Sequence, residues 1–97
     1  MNTDGFEWDD EKARWNLRKH GVAFDEAATV FAEWGAPVEA DLQHSFVEDR
    51  FIIIATSELQ RLLTVVFTYR DETIRLISAR RANRREQQIY EQEKRTD

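Results

Sequence analysis

Arg80, Arg81, Arg84 and Arg85 fall within six residues, with no acid among them. A guanidinium is a planar fork that grips two phosphate or carboxylate oxygens at once. Four of them in so short a stretch suit an anion, and RNA is one. Cleavage of RNA by its own 2′-hydroxyl needs neither a metal nor an enzyme nucleophile. It needs a group to take the 2′ proton, cations to offset charge on the phosphorane, and an acid for the leaving 5′ oxygen. Arginine suits the second task, and a histidine or a lysine of depressed pKa the first or third. Arg80, Arg84 and Glu86 on one side, with Lys19 and His20 on the other, have the residue types for all three.

Each of these residues also has a plainer reading. His20 stands just before a helix end, where an imidazole bonds a terminal carbonyl. Lys19 complements the negative end of a helix dipole. Glu86 suits an ion pair with an arginine one turn earlier, and Arg81 and Arg85, four apart, suit a solvated face. Tyr90 has the position of a residue packed against a sheet. Trp8, Trp15 and Trp34 read as core or partner contacts, and an exposed Trp15 would favour a partner.

The elements that must position these groups follow from pattern. Phe6-Glu7-Trp8 reads as a very short strand. Asp9 is a plausible N-cap for a helix to about His20, stopped by Gly21. Along it Ala13, Leu17 and His20 form the stripe expected to face the core. Lys12, Asn16 and Lys19 form the adjoining, solvated stripe. Asp25 looks like the next N-cap, and Ala27 to Trp34 a short apolar helix ended by Gly35 and Pro37. Val38 to Leu42 reads as a strand, and Gln43 to Asp49, with His44, as a polar loop. Phe51 to Thr56 is apolar and β-branched, as in a strand covered on both faces. Ser57 to Gln60 lacks the residues of a tight two-residue turn. Leu62 to Tyr69, the Asp71-Glu72 turn and Thr73 to Ala79 complete an antiparallel meander. From Ala82 the period becomes helical, through Glu86, Ile89, Tyr90 and Glu93. The expected architecture is α+β: an antiparallel meander with two N-terminal helices and one C-terminal helix, in a single domain spanning residues 1–97.

Composition narrows the function. The formal net charge is −5, from 14 basic and 19 acidic residues, which argues against a broad polyanion-binding surface. Yet Arg75 to Arg85 holds five arginines and no carboxylate, a local basic surface on an acidic chain. The sequence has no cysteine and only two histidines, and its acids are dispersed, so neither a metal site nor a cofactor is expected. No apolar run approaches a membrane span, and the N-terminus does not read as a signal peptide; a cytoplasmic location is expected.

Two groups of residues go further than composition. Phe6-Glu7-Trp8-Asp9, Lys12, Asn16, Lys19-His20-Gly21-Val22, Phe24, Glu26-Ala27 and Val30-Phe31 form the first. Arg61-Leu62-Leu63, Val65-Val66-Phe67-Thr68, Ile74 through Arg80, Glu86 and Tyr90 form the second. Together they resemble the BrnT family of type II toxin–antitoxin toxins, from Phe6 to Glu91. The resemblance implies a RelE-like fold and a ribonuclease that arrests translation and growth. It also implies neutralisation by an antitoxin of the BrnA kind, whose ribbon-helix-helix part binds the operator DNA. Family members usually carry Gly where this chain has Ala55, and another in the hairpin occupied by Glu58-Leu59-Gln60. Because Arg80 and Lys19-His20 lie in the signature segments, the resemblance places Arg80 on the phosphate and His20 or Lys19 in proton transfer. Glu86 is a further catalytic candidate. Arg84, Arg75, Tyr90, Lys12 and Asn16 are the candidate substrate contacts. The competing reading is a non-enzymatic interaction module whose arginines dock an acidic protein. Direct DNA binding by this chain fits its acidic balance least.

Overall fold

A computed structural model of the chain describes residues 2–3, 5–42 and 49–95. In chain order the elements are β1 (Asn2–Thr3), β2 (Phe6–Glu7), α1 (Asp10–His20) and α2 (Phe24–Ala28), which runs on as a 3-10 turn, Thr29–Ala32. Then come β3 (Val38–Ala40), β4 (Phe51–Thr56), β5 (Leu62–Arg70), β6 (Thr73–Arg81) and α3 (Arg84–Arg95). The polar loop expected at Gln43 to Asp49, His44 included, lies outside the described residues except for Asp49.

Among the described residues the strands form one six-stranded sheet in the order β1-β2-β6-β5-β4-β3. β3 to β6 pair antiparallel as a meander. The sheet as a whole is mixed, which corrects the expectation of a purely antiparallel one: β2 runs parallel to β6, with Phe6 opposite Ile74 and Glu7 opposite Arg75. The direction follows from what comes next. The chain leaves β2 as α1 and travels along the same edge of β6, so that Asn16 arrives beside Ala79. Only a parallel β2 points α1 that way.

The register assigns the faces. Ile53, Ala55, Leu63, Val65, Phe67, Leu76 and Ala79 form one buried layer, covered by Trp8, Val22, Phe24, Ala27 and Val30 from the helical side. Val66 pairs with Ser78 but Phe67 with Leu76, so Ile77 is a bulge that puts Leu76 and Ala79 on the same face. On the opposite face Ile54 is buried, and α3 brings Ile89 alongside Ile52 and Ile54.

Two helical expectations are corrected. The inward stripe of α1 is Ala13, Asn16 and His20; Leu17 is exposed and Asn16 is buried. The helix is rotated because Asn16 satisfies polar backbone that Leu17 could not. Its amide nitrogen donates to Val22 O (2.9 Å) and Ala79 O (2.8 Å), and its oxygen accepts from Ala79 N (3.0 Å). α2 begins at Phe24, with Ala23 rather than Asp25 at the N-cap and no side-chain cap. Its third residue, Glu26, turns inward as a buried acid.

The β4–β5 turn spans Ser57 to Arg61, closed by Ser57 N–H to Arg61 O (2.8 Å), with Gln60 at φ +63°. That is the left-handed region, where a side chain costs about 1 kcal/mol and glycine is at ease. Gln60→Gly is therefore expected to stabilise the domain by about 1 kcal/mol in urea denaturation. Asn16→Asp should do the reverse. It removes the donor to two buried carbonyls and costs about 3 kcal/mol or more by the same measurement.

Candidate functional site

The strand-to-helix corner holds the strongest polar constellation. Asn83 caps α3: its Oδ1 accepts from Glu86 N (2.9 Å), and Glu86 Oε1 accepts from Asn83 N (2.8 Å), a reciprocal capping box. The same Glu86 carboxylate takes both ends of the Arg80 guanidinium, Nη1 to Oε1 and Nη2 to Oε2, each at 2.7 Å. Glu86 is mostly buried there, while 42 % of the Arg80 side chain stays exposed. Burial pushes the Glu86 carboxyl up, but Arg80 and the Asn83 N–H more than offset it and hold it below its ordinary value. Arg80 is in turn held charged by Glu86. Thr64, cross-strand from Arg80, helps to keep Glu86 ionised, yet its buried hydroxyl meets no partner at hydrogen-bonding geometry.

What this corner can do chemically is present a fixed cation. The bidentate pair fixes the Arg80 side chain, Nη1 also reaches Arg81 O (3.5 Å), and Nε and the second N–H of Nη2 have no partner among the described residues. Arg84 and Arg85 are exposed beside it, and Arg81 points to the other face of the sheet. There Arg81 adds to the positive field around Glu26.

The other candidates are distributed around this centre. Asn16 clamps the backbone of Ala79, one residue from Arg80, so α1 is fixed against that end of β6. Lys19, on the last turn of α1, lies over the Trp15 ring at 4.5 Å from its centroid. His20 is half-buried and makes no side-chain hydrogen bond or ion pair among the described residues. Lys12 is exposed. Arg75 pairs with Glu7 (2.6 Å) further back along β6, with Thr73 donating to the same carboxylate (2.7 Å). Tyr90 belongs to a second cluster, where its hydroxyl donates to Glu33 Oε2 (2.7 Å) and lies 3.3 Å from Thr56 Oγ1. Thus Arg80 and Glu86 touch and Asn16 adjoins them along the backbone. Lys19, His20, Arg75 and Tyr90 make no direct contact with the pair.

Three groups escaped the sequence reading. Asn83 carries the corner, and the spacing Asn83-x-x-Glu86 is the signal that would have found it. Glu26 is a buried carboxylate held by Arg61 through two donors and by the Ser57 hydroxyl (2.7 Å), and Arg61 also donates to Gly21 O (3.1 Å). Its signal was an acid among Phe24, Ala27 and Val30. Glu33 is the third. Burial raises its carboxyl, but Thr56 N–H, Tyr90 and Lys94 together hold it low. Those contacts seat α3 on the sheet, and Lys94 also donates to Trp34 O (2.9 Å).

A family model described as the ribonuclease toxin BrnT of type II toxin–antitoxin systems matches residues 8–86. Among solved structures, the 1.1 Å crystal structure of the Brucella abortus ribonuclease toxin BrnT is similar to this chain. It has a TM-score of 0.60 and 24 % sequence identity, over 79 % of this chain and 94 % of that one. At that identity the likeness concerns the fold. No curated protein matches the chain at a significant level.

The depressed carboxyls set the acid limit of stability. A group held below its ordinary 4.5 in the folded state stabilises fully above that value, and the contribution fades as pH falls through the folded pKa. Thermal unfolding is expected to be flat from pH 7 to about 5 and to drop below. Glu86→Gln should cost about 1 kcal/mol at pH 7, a figure reduced for the exposure of Arg80, and should make the acid slope shallower.

Proposed function

The chain belongs to the BrnT family of type II toxin–antitoxin ribonuclease toxins, and from that premise we propose that it is a metal-independent endoribonuclease of RelE-like fold, active at the Arg80 corner. The observation that carries this reading is the Arg80–Glu86 pair. An arginine immobilised by a half-hidden carboxylate and still open to solvent is a preorganised site for phosphorane charge, which costs no reorganisation when the charge develops. In the proposed reaction the substrate 2′-oxygen attacks phosphorus, the 5′-oxygen leaves, and a 2′,3′-cyclic phosphate remains. Arg80 offsets charge on the non-bridging oxygens. His20 or Lys19, at the end of α1 that Asn16 ties to Ala79, exchanges protons with the 2′ and 5′ oxygens. Glu86 positions Arg80, and Arg84 is placed to hold a neighbouring phosphate.

Among the described residues no three His, Asp or Glu side chains converge as a metal site would require. A toxin of this class has an antitoxin partner, and we propose one of the BrnA, ribbon-helix-helix kind, through which alone the complex reaches DNA. The proposed setting is cytoplasmic, with growth arrest through loss of translated RNA. Among the described residues no helix is long and apolar enough to cross a membrane.

The competing reading, a non-enzymatic module whose arginines dock an acidic protein, draws support from the expected sign, an exposed Trp15 (57 %), and from Trp34, which is 88 % exposed. RNA integrity after induced expression separates the two. The wild-type chain should arrest growth and fragment RNA with no added divalent metal. Arg80→Ala should lower the cleavage rate about 100-fold with the circular-dichroism spectrum unchanged, and Arg80→Lys should recover part of it. Cleavage by Arg80→Ala at the wild-type rate removes Arg80 from the mechanism. Intact RNA under the wild-type chain favours the docking module.

A further inference from the structure

The outward face of α1 carries an aromatic ring among cations. Residues 12–20 contain Lys12, Arg14, Arg18 and Lys19 and no carboxylate, a run that stands out on a chain of net charge −5. Trp15 sits in the middle of that run with 57 % of its surface exposed. Lys19 Nζ lies over one face of its ring, 4.5 Å from the centroid. Arg14, Trp15 and Arg18 line a shallow groove along the helix, closed at its N-terminal end by Glu11. None of these side chains is tied into the fold by a hydrogen bond or ion pair among the described residues, in contrast to Asn16 on the inward face.

We propose that Trp15, with Arg14, Arg18 and Lys19, is a stacking site for an unpaired base of single-stranded RNA. An indole face accepts any base, because every base has a π-face, and flanking cations meet the phosphates on either side. The ammonium over one ring face leaves the other for the base and brings positive charge to where the adjoining phosphate lies. Charge decides the class of occupant, since the groove is cationic along all but its first turn. Asn16, next to Trp15 in the chain, turns inward and is bonded to Ala79, which adjoins Arg80, so the helix that carries the stacking site is anchored to the strand that carries the corner. A duplex has no free base face to offer and is excluded from this site. The inference rests on the ribonuclease reading for the kind of ligand, and adds a subsite to it.

The test measures binding apart from cleavage. The probe is a fluorescein-labelled single-stranded oligonucleotide of about 12 residues, 2′-O-methylated throughout so that it cannot be cut. Its affinity is read by anisotropy at several salt concentrations. Trp15→Ala should weaken binding about tenfold or more, Trp15→Phe by no more than about threefold, and Trp34→Ala not at all. Lys19→Gln should reduce the magnitude of the salt slope by about 0.7. Circular dichroism confirms that the exposed substitutions leave the fold in place. Wild-type affinity in Trp15→Ala, with a wild-type chain that binds the probe and cleaves RNA, overturns the stacking site and leaves the ribonuclease reading standing. A wild-type chain that neither binds the probe nor cleaves RNA overturns both. Lost affinity for polyglutamate with unchanged affinity for the oligonucleotide overturns the proposal in favour of an acidic protein partner.

Discussion

Ala79 turns its backbone N–H and carbonyl away from β5, towards an edge that β2 is too short to cover. Left there without partners, two buried peptide groups would carry a penalty that a domain of this size has little margin to absorb. Asn16 supplies both partners with one side chain and reaches Val22 O as well. A carboxamide matches the backbone pattern because it carries a donor and an acceptor side by side. The consequences spread from that contact. It rotates α1 so that Leu17 faces solvent. It sets the last turn of α1, with Lys19 and His20, against the end of β6. It requires the chain to enter parallel to β6, which is why the sheet is mixed.

At the far side of the same strand end, a single carboxylate organises the turn into α3. Glu86 caps its own helix through Asn83 and clamps Arg80, so the helix start and the strand end cannot move independently. The cluster around Glu33 secures the other end of α3 through Thr56, Tyr90 and Lys94. α3 itself buries no residue fully, which makes these polar anchors, with Ile89, its main hold on the sheet.

This arrangement also explains how an acidic chain presents basic surfaces. Glu7, Glu26, Glu33 and Glu86 are each engaged by a cation within the fold. Arg84, Arg85 and the cations of α1 make no such pairs among the described residues. The formal charge therefore overstates how acidic the α1 face and the Arg80 corner are, since structural acids are spent inside while these cations face out.

The sequence alone determined the strand pattern from Phe51 to Ala79, which the structure extends to Arg81, and the Asp9 and Gly21 ends of α1. It also determined the change of period after Ala79, because alternation, capping residues and helical spacing are local properties. It carried the family too, through residue types strung along almost the whole chain. Arg80 and Glu86 could be named as candidates, but not their bidentate contact. What only the tertiary structure decided was which polar residues are structural. Asn16 reads as a solvated position by spacing and is buried, and Glu26, which the sequence offers only as part of the family pattern, is buried and paired inside. Leu17 reads as core and lies exposed, and Trp34, which reads as a core or partner contact, lies exposed too. In each case the deciding partner is far away in the chain, 63 residues for Asn16 and Ala79 and 35 for Glu26 and Arg61. Helical periodicity ranks a face by its apolar content, and it has no term for a backbone edge, distant in sequence, that needs an amide.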